Sequence, residues 1–343
     1  MTVEQDVVTV VGAGGIGGTV AGGLALAGER VQVVEAATAH VAALRAGGLH
    51  LDGVRGDHHV RFERVLLPNE LTGPLGRVIL AVKSQHTDAA LAVIAPALSA
   101  DGVVVSLQNG LNEHRIAAAV GAARTVGGMV HLVADYVGPG HVTRFSEGEL
   151  RLGELDGQLR PRLLGLTRLL GHVAPTATTD NIWGYLWAKQ VYSCYLVATA
   201  LVDAPSSEQL APAWAKRVFV AIMGEAAEAA LAEGVTLEEY GGVNPCVMLP
   251  RTPGEMATAF AALPTGSAKG NSGIWRDIHL RHRPSETEYL TGEVVRVGQR
   301  HGLPMPLNAR VATMVAEIER GERRADWANL RALERLANAR LPG

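Results

Sequence analysis

Gly12, Gly14 and Gly17 stand at the spacing GxGxxG, directly after the β-branched run from Val7 to Val11. Each position answers a physical need of a phosphate-binding turn. Gly12 permits the tight turn, Gly14 lets backbone approach a pyrophosphate, and Gly17 lets the following helix pack on the sheet. The amides of Gly14, Gly15, Ile16 and Gly17 then open a helix whose N-terminus favours anions. Glu35 stands 18 residues after Gly17. An acid there accepts hydrogen bonds from both ribose hydroxyls of NAD and repels the 2′-phosphate of NADP. Ala36, Ala37, Thr38 and Ala39 carry no charge, and Arg45 is the first base beyond them. The pattern favours NAD and leaves NADP possible. The plainer reading of Glu35 is a solvated strand end.

Further polar groups follow two other apolar runs. Lys83-Ser84-Gln85 ends the run from Val78 to Val82, and Gln108-Asn109-Gly110 ends that from Val103 to Leu107. In an open α/β sheet, ligands sit at carboxyl ends of strands. Lys83 and Asn109 are therefore candidates for the cofactor; polar capping of strand ends is the other reading. Lys189 lies within an apolar stretch, Trp183 to Lys189, that reads as a helix, with Ser193 four residues on and so on the same face. A lysine beside a nicotinamide can give a proton to a carbonyl oxygen as hydride reaches the carbon. Ser272 has the type and place of a helix N-cap, and Glu286 those of an acid in a first helical turn.

The elements that would position these groups change character along the chain. Strand, glycine turn, helix and a second strand from Arg30 to Val34 form one unit. Arg124–Val133, Gly140–Phe145 and Glu149–Leu152 read as further strands, and Leu163–Leu170 as a helix. Past Thr178, Ala- and Leu-rich stretches take over. Helices are expected over Trp183–Leu201, Ala213–Ala232, Pro253–Ala262, Ser285–His301, Asn308–Gly321 and Trp327–Ala337. The expected architecture is a Rossmann dinucleotide-binding domain over residues 1–178, then an all-helical domain over 179–343. The segment Glu239 to Pro264 reads as an insertion, either a cover or an interface.

Composition narrows the function classes. The 343 residues are 48% hydrophobic and 19% charged, enough for two sizeable cores. Lys plus Arg is 31 and Asp plus Glu is 34, with no basic run, which argues against nucleic acid. Cys194 and Cys246 form no disulfide framework or CxxC site, so no metal is expected and a reducing cytoplasm fits. The charge-free run from Val7 to Gly28 is long enough for a membrane span, but eight of its residues are glycine. No membrane partner is expected. Glu4 and Asp6 stand where a signal peptide is basic.

With these residues placed, the chain resembles the ketopantoate reductase (2-dehydropantoate 2-reductase) family. The resemblance rests on GAGGIG from Gly12, VKSQ from Val82, QNG from Gln108, WAK from Trp187, SGIWRDI from Ser272, SETEYLTG from Ser285 and HGLPMPLN from His301. Order and spacing together are more specific than any block alone. The resemblance implies a doubly wound parallel Rossmann sheet followed by a 6-phosphogluconate-dehydrogenase-like helical domain, paired as a homodimer. It implies reduction of a 2-oxo acid to a 2-hydroxy acid by hydride from NAD(P)H. Lys189 would be the general acid. Glu286 would orient substrate and Lys189. Asn109 would contact the nicotinamide ribose and substrate, Ser272 the substrate carboxylate, and Lys83 would lie near the cofactor. Two positions depart from the family. Ser193 stands where an asparagine is usual, and Glu35 where a base suited to NADP is usual. They keep open an NAD-dependent D-2-hydroxyacid dehydrogenase acting on a branched or aromatic 2-oxo acid. A non-catalytic dinucleotide-binding protein is a further alternative. An opine-type dehydrogenase built on a histidine, with His131 or His172 as candidates, shares the two-domain plan.

Overall fold

The computed structural model describes residues 7–264 and 270–342. The chain forms two compact units, Met1–Ile182 and Trp183–Gly343.

In the first unit the order is β1 (Val8–Val11), α1 (Gly15–Leu26), β2 (Val31–Val34), α2 (Thr38–Gly47), β3 (Leu49–Gly53), β4 (His58–Val60), β5 (Arg64–Leu66), β6 (Leu75–Leu80), α3 (Thr87–Ala97), β7 (Leu98–Ser106), α4 (Glu113–Val120), β8 (Thr125–His131), β9 (Ala134–Gly138), β10 (His141–Arg144), β11 (Glu149–Glu154), α5 (Pro161–Gly171) and β12 (Thr176–Thr178). Eight strands form the main sheet in the order β12-β11-β8-β7-β6-β1-β2-β5. All its pairings are parallel except β11 against β8. The sheet is buried on both faces, which is why β1 is apolar without alternation. Val8, Val10, Ile79 and Val105 meet α1 and α5 on one face; Val11, Val78, Leu80 and Val104 meet α3 and α4 on the other.

A second sheet runs in the order β4-β3-β10-β9; of its strands only β10 was expected from the sequence, within Gly140–Phe145. It packs on α1, and that contact explains the glycines left over from the turn motif. A Cβ at Gly15 would lie 2.9 Å from the Ala134 carbonyl oxygen, one at Gly18 2.8 Å from Val142, and one at Gly22 2.8 Å from Leu51. These positions strip one face of α1 so that a sheet can lie against it.

The second unit is helical: α6 (Ile182–Ala198), α7 (Ser206–Gln209), α8 (Ala213–Ala232), α9 (Pro253–Ala262), α10 (Gly273–His279), α11 (Thr291–Arg300), α12 (Pro306–Glu319) and α13 (Trp327–Arg340). Buried along most of its length, α8 is packed by α11, α12 and α13. Glu225 on α8 accepts hydrogen bonds from the Leu307 and Asn308 amides, at 2.9 and 2.8 Å, and so fixes the start of α12. Burial raises its pKa against the pull of those bonds.

One expectation is corrected here. Ser285–His301 is not one helix: a 3-10 turn over Thr287–Tyr289 precedes α11. The chain breaks at Leu290, whose backbone (φ −101°, ψ −92°) turns its carbonyl to the Gln190 side-chain amide at 2.7 Å. The segment Glu239–Pro264 has structure of its own. Its 3-10 turn Pro245–Met248 and helix α9 pack on α8, and the buried Met248 presses its backbone against Gly224.

Candidate active site

Gly12 closes β1 with φ +89°, a conformation that favours glycine, and a Cβ there would meet Val82 at 2.8 Å. A Cβ at Gly17 would collide with the Gly12 carbonyl oxygen. At Gly14 a Cβ would meet nothing within 4 Å. The open side of the turn is thus at Gly14, beside the first amides of α1. A pyrophosphate needs that combination of bare backbone, free space and helix N-terminus. Gly15 differs from the others in that its Cα side is taken up by β9. Its amide, like that of Ile16, still belongs to the first turn of α1.

Glu35 follows β2 and holds the turn. The Ala13 amide donates to its Oε2 at 2.8 Å and the Ala37 amide to its Oε1 at 2.9 Å. Each carboxylate oxygen keeps a second lone pair for a ribose hydroxyl. Arg45, the first base beyond it in sequence, is turned away: it pairs with Glu70 and donates to the Val65 carbonyl at 3.0 Å. His40, which the sequence did not single out, supports the turn from α2. It is buried, with Nε2 at 3.0 Å from the Ala13 carbonyl and Nδ1 accepting from the Gly140 amide at 2.9 Å. This pair of contacts fixes the neutral tautomer with its proton on Nε2. Nothing in the local sequence marks it, because its partners come from distant segments.

The polar groups after β6 and β7 are joined by a buried network. The Ser84 hydroxyl donates to the Asn109 carbonyl at 2.9 Å, and Asn112 donates to the same carbonyl at 2.7 Å and to Ser84 at 3.0 Å. Gln108 donates to the Val82 carbonyl at 2.9 Å and to Thr87 at 2.8 Å. Lys83 is half-buried and precedes the 3-10 turn Ser84–His86, while the Asn109 side chain is exposed. The sequence marked Lys83 and Asn109. The structure adds Ser84, Gln108 and Asn112 as the residues that hold their two loops together.

In the second unit Lys189 is half-buried on α6, between buried Ala188 and Gln190. Ser193, one turn on and itself buried, donates its hydroxyl back to the Lys189 carbonyl at 2.9 Å. Glu286 is buried at the start of the turn Thr287–Tyr289. The Gln190–Leu290 hydrogen bond ties that turn to α6 next to Lys189, so the structure brings the two elements together. Ser272 caps α10. Its Oγ lies 3.0 Å from the Trp275 amide, 3.1 Å from the Leu196 carbonyl and 3.2 Å from the Thr199 hydroxyl. Three protein partners fill the ordinary capacity of one hydroxyl.

Family models match both parts of the chain: "Ketopantoate reductase PanE/ApbA" over residues 8–157, and "Ketopantoate reductase PanE/ApbA C terminal" over 181–319. The chain belongs to the ketopantoate reductase family. As such it is an NAD(P)-dependent oxidoreductase acting on a CH–OH group. It is 26% identical to a 2-dehydropantoate 2-reductase of Mesorhizobium japonicum, over 92% of this chain and 98% of the relative. A crystal structure of a PanE/ApbA family ketopantoate reductase from Ralstonia eutropha JMP134 is 27% identical, with TM-score 0.79 over 92% of this chain and 99% of that one. In fold the chain also matches a D-mandelate dehydrogenase solved with NADH and anilino(oxo)acetate, at 21% identity and TM-score 0.81, over 92% of this chain and 99% of that one. Among the described residues, no helix is long and apolar enough to cross a membrane.

Proposed function

We propose that this ketopantoate reductase family member reduces a 2-oxo acid, 2-dehydropantoate in the first instance, with NADH preferred over NADPH. The observation that carries the cofactor preference is Glu35. Its carboxylate is held at the glycine turn by two backbone amides, with the nearest following base drawn off to Glu70. A 2′-phosphate brought to this point would face a carboxylate.

The nicotinamide, when bound, supplies a hydride to the oxo carbon. The chain's own part is to bind, orient and move one proton. Gly12, Gly14, Gly15, Ile16 and Gly17 present backbone to the pyrophosphate. Asn109, on a loop braced by Ser84 and Asn112, contacts the nicotinamide ribose and the substrate, and Lys83 lies near the cofactor. Lys189 Nζ gives its proton to the oxo oxygen, which would otherwise gather full negative charge. Glu286 orients Lys189 and the substrate, with Ser193 beside Lys189 on the same helix face. Ser272 stays with the substrate set by resemblance, while its geometry supports a capping role.

A second substrate reading rests on Ser193. A hydroxyl already spent on the Lys189 carbonyl cannot offer what an asparagine amide offers. A site with different polar contacts selects a different substrate. The alternative is an NAD-dependent D-2-hydroxyacid dehydrogenase for a branched or aromatic 2-oxo acid. Initial rates with NADH and NADPH against 2-dehydropantoate and bulkier 2-oxo acids decide between them. An NADPH-only enzyme would overturn the Glu35 argument; an NADH rate confined to a bulky oxo acid would favour the second reading. The enzyme is proposed to act in the cytoplasm as a homodimer, which sedimentation of the purified protein tests.

A further inference from the structure

The second sheet gathers histidines that the reductase reading does not use. His50 on β3 pairs in register with His59 on β4 and with His141 on β10, so three imidazoles lie side by side across three strands. The His50 ring stacks on His141 at 4.3 Å and on His59 at 4.6 Å. Asp52 stands two residues beyond His50, on the same face of β3. Its Oδ2 lies 3.0 Å from His141 Nε2, and its Oδ1 is buried with no hydrogen-bond partner among the described residues. His50 Nε2 meets Asp57 at 2.8 Å.

We propose that His50, Asp52 and His141 bind a divalent transition-metal ion of the zinc class. One donor atom from each already lies within 4.8 Å of the others. Two imidazoles and one carboxylate are ligands that zinc accepts, with solvent completing the shell. The donors must draw together by small side-chain rotations to reach bonding distance, and His50 must exchange its bond to Asp57 for the metal. All three side chains are half-buried on paired strands, which limits the entropy lost on binding. The ion would clamp β3 to β10, the strands that supply Leu51 and Val142 to α1. Its role is structural: none of its ligands belongs to the glycine turn or to the Lys189 and Glu286 set.

The test is calorimetric titration of untagged, chelator-stripped protein with Zn2+, alongside thermal melts with and without the ion. We expect one equivalent bound and a raised melting midpoint. His141→Ala, His50→Ala and Asp52→Asn should each weaken binding at least about tenfold, while His301→Ala, in the second unit, should leave it unchanged. Far-UV circular dichroism checks that each variant folds; where His141→Ala does not, Asp52→Asn carries the test. Absence of binding, or binding that survives all three substitutions, overturns the proposal.

Discussion

In the proposed mechanism Lys189 carries the heaviest chemical demand of any single residue. General acid catalysis contributes about 10²–10⁴-fold, which is roughly 3–5 kcal/mol of barrier. Lys189→Ala should lose turnover by that factor. NADH affinity, read by fluorescence titration, should stay within about twofold, because the glycine turn is untouched. Turnover within tenfold of wild type would remove Lys189 from the mechanism. Glu35 makes a different kind of claim, about selectivity. Glu35→Ala should move the NADH-to-NADPH ratio of kcat/KM toward NADPH by about tenfold or more, since one charge interaction of about 1.4 kcal/mol is tenfold. An unchanged ratio would assign discrimination elsewhere. The cysteines give a third test. Burial pushes the Cys194 thiol up to about 12, whereas Cys246 is exposed. The thiolate is the reactive form, so at mild alkaline pH a thiol reagent should label one cysteine in the folded protein and two in denaturant. Two rapid equivalents in the folded protein would contradict the burial of α6. At this level the sequence made the turn itself legible, since the spacing of Gly12, Gly14 and Gly17 along one segment is its signature. It was silent on His40, whose partners Ala13 and Gly140 come from segments far apart in the chain.

Elements were legible where their signal is local. β1, the turn and α1 follow from a β-branched run, glycines and a small-residue helix, and α8 and α9 from Ala- and Leu-rich helical spacing. Of the second sheet only β10 was legible, within the strand expected over Gly140–Phe145. The sheet's strands are short, and β3 pairs with β10 from far along the chain. What Gly15, Gly18 and Gly22 make room for was not legible, because only the packed sheet shows it. The broken helix at Leu290 was hidden for the same reason: its cause is Gln190, on another helix. Ser272 shows how an element-level reading yields a test. If its hydroxyl serves α10 as a cap, Ser272→Ala should cost about 1 kcal/mol of stability and leave KM for the oxo acid within about twofold. A tenfold rise in KM at unchanged stability would instead assign the hydroxyl to substrate.

Across the whole chain, the proposed cofactor contacts and the tryptophans divide between the two units. Gly12 to Gly17, Glu35, Lys83 and Asn109 lie in the first unit, and all five tryptophans, Trp183, Trp187, Trp214, Trp275 and Trp327, lie in the second. The main β-sheet lies wholly in the first. Two spectroscopic signals therefore report on different units of one molecule, and multidomain chains need not melt in one step. NAD+ at about 100 times its Kd adds roughly 2.7 kcal/mol to whatever unfolds together with its site. For a unit of this size that is on the order of 5–10 °C. Followed through one melt, the sheet signal in circular dichroism should rise by that amount with NAD+, while the tryptophan midpoint moves by less than half as much. Equal shifts in both signals would mean that the units unfold together and share the cofactor's stabilisation. No shift in either would count against the glycine turn as the cofactor's site, whatever the substrate proves to be.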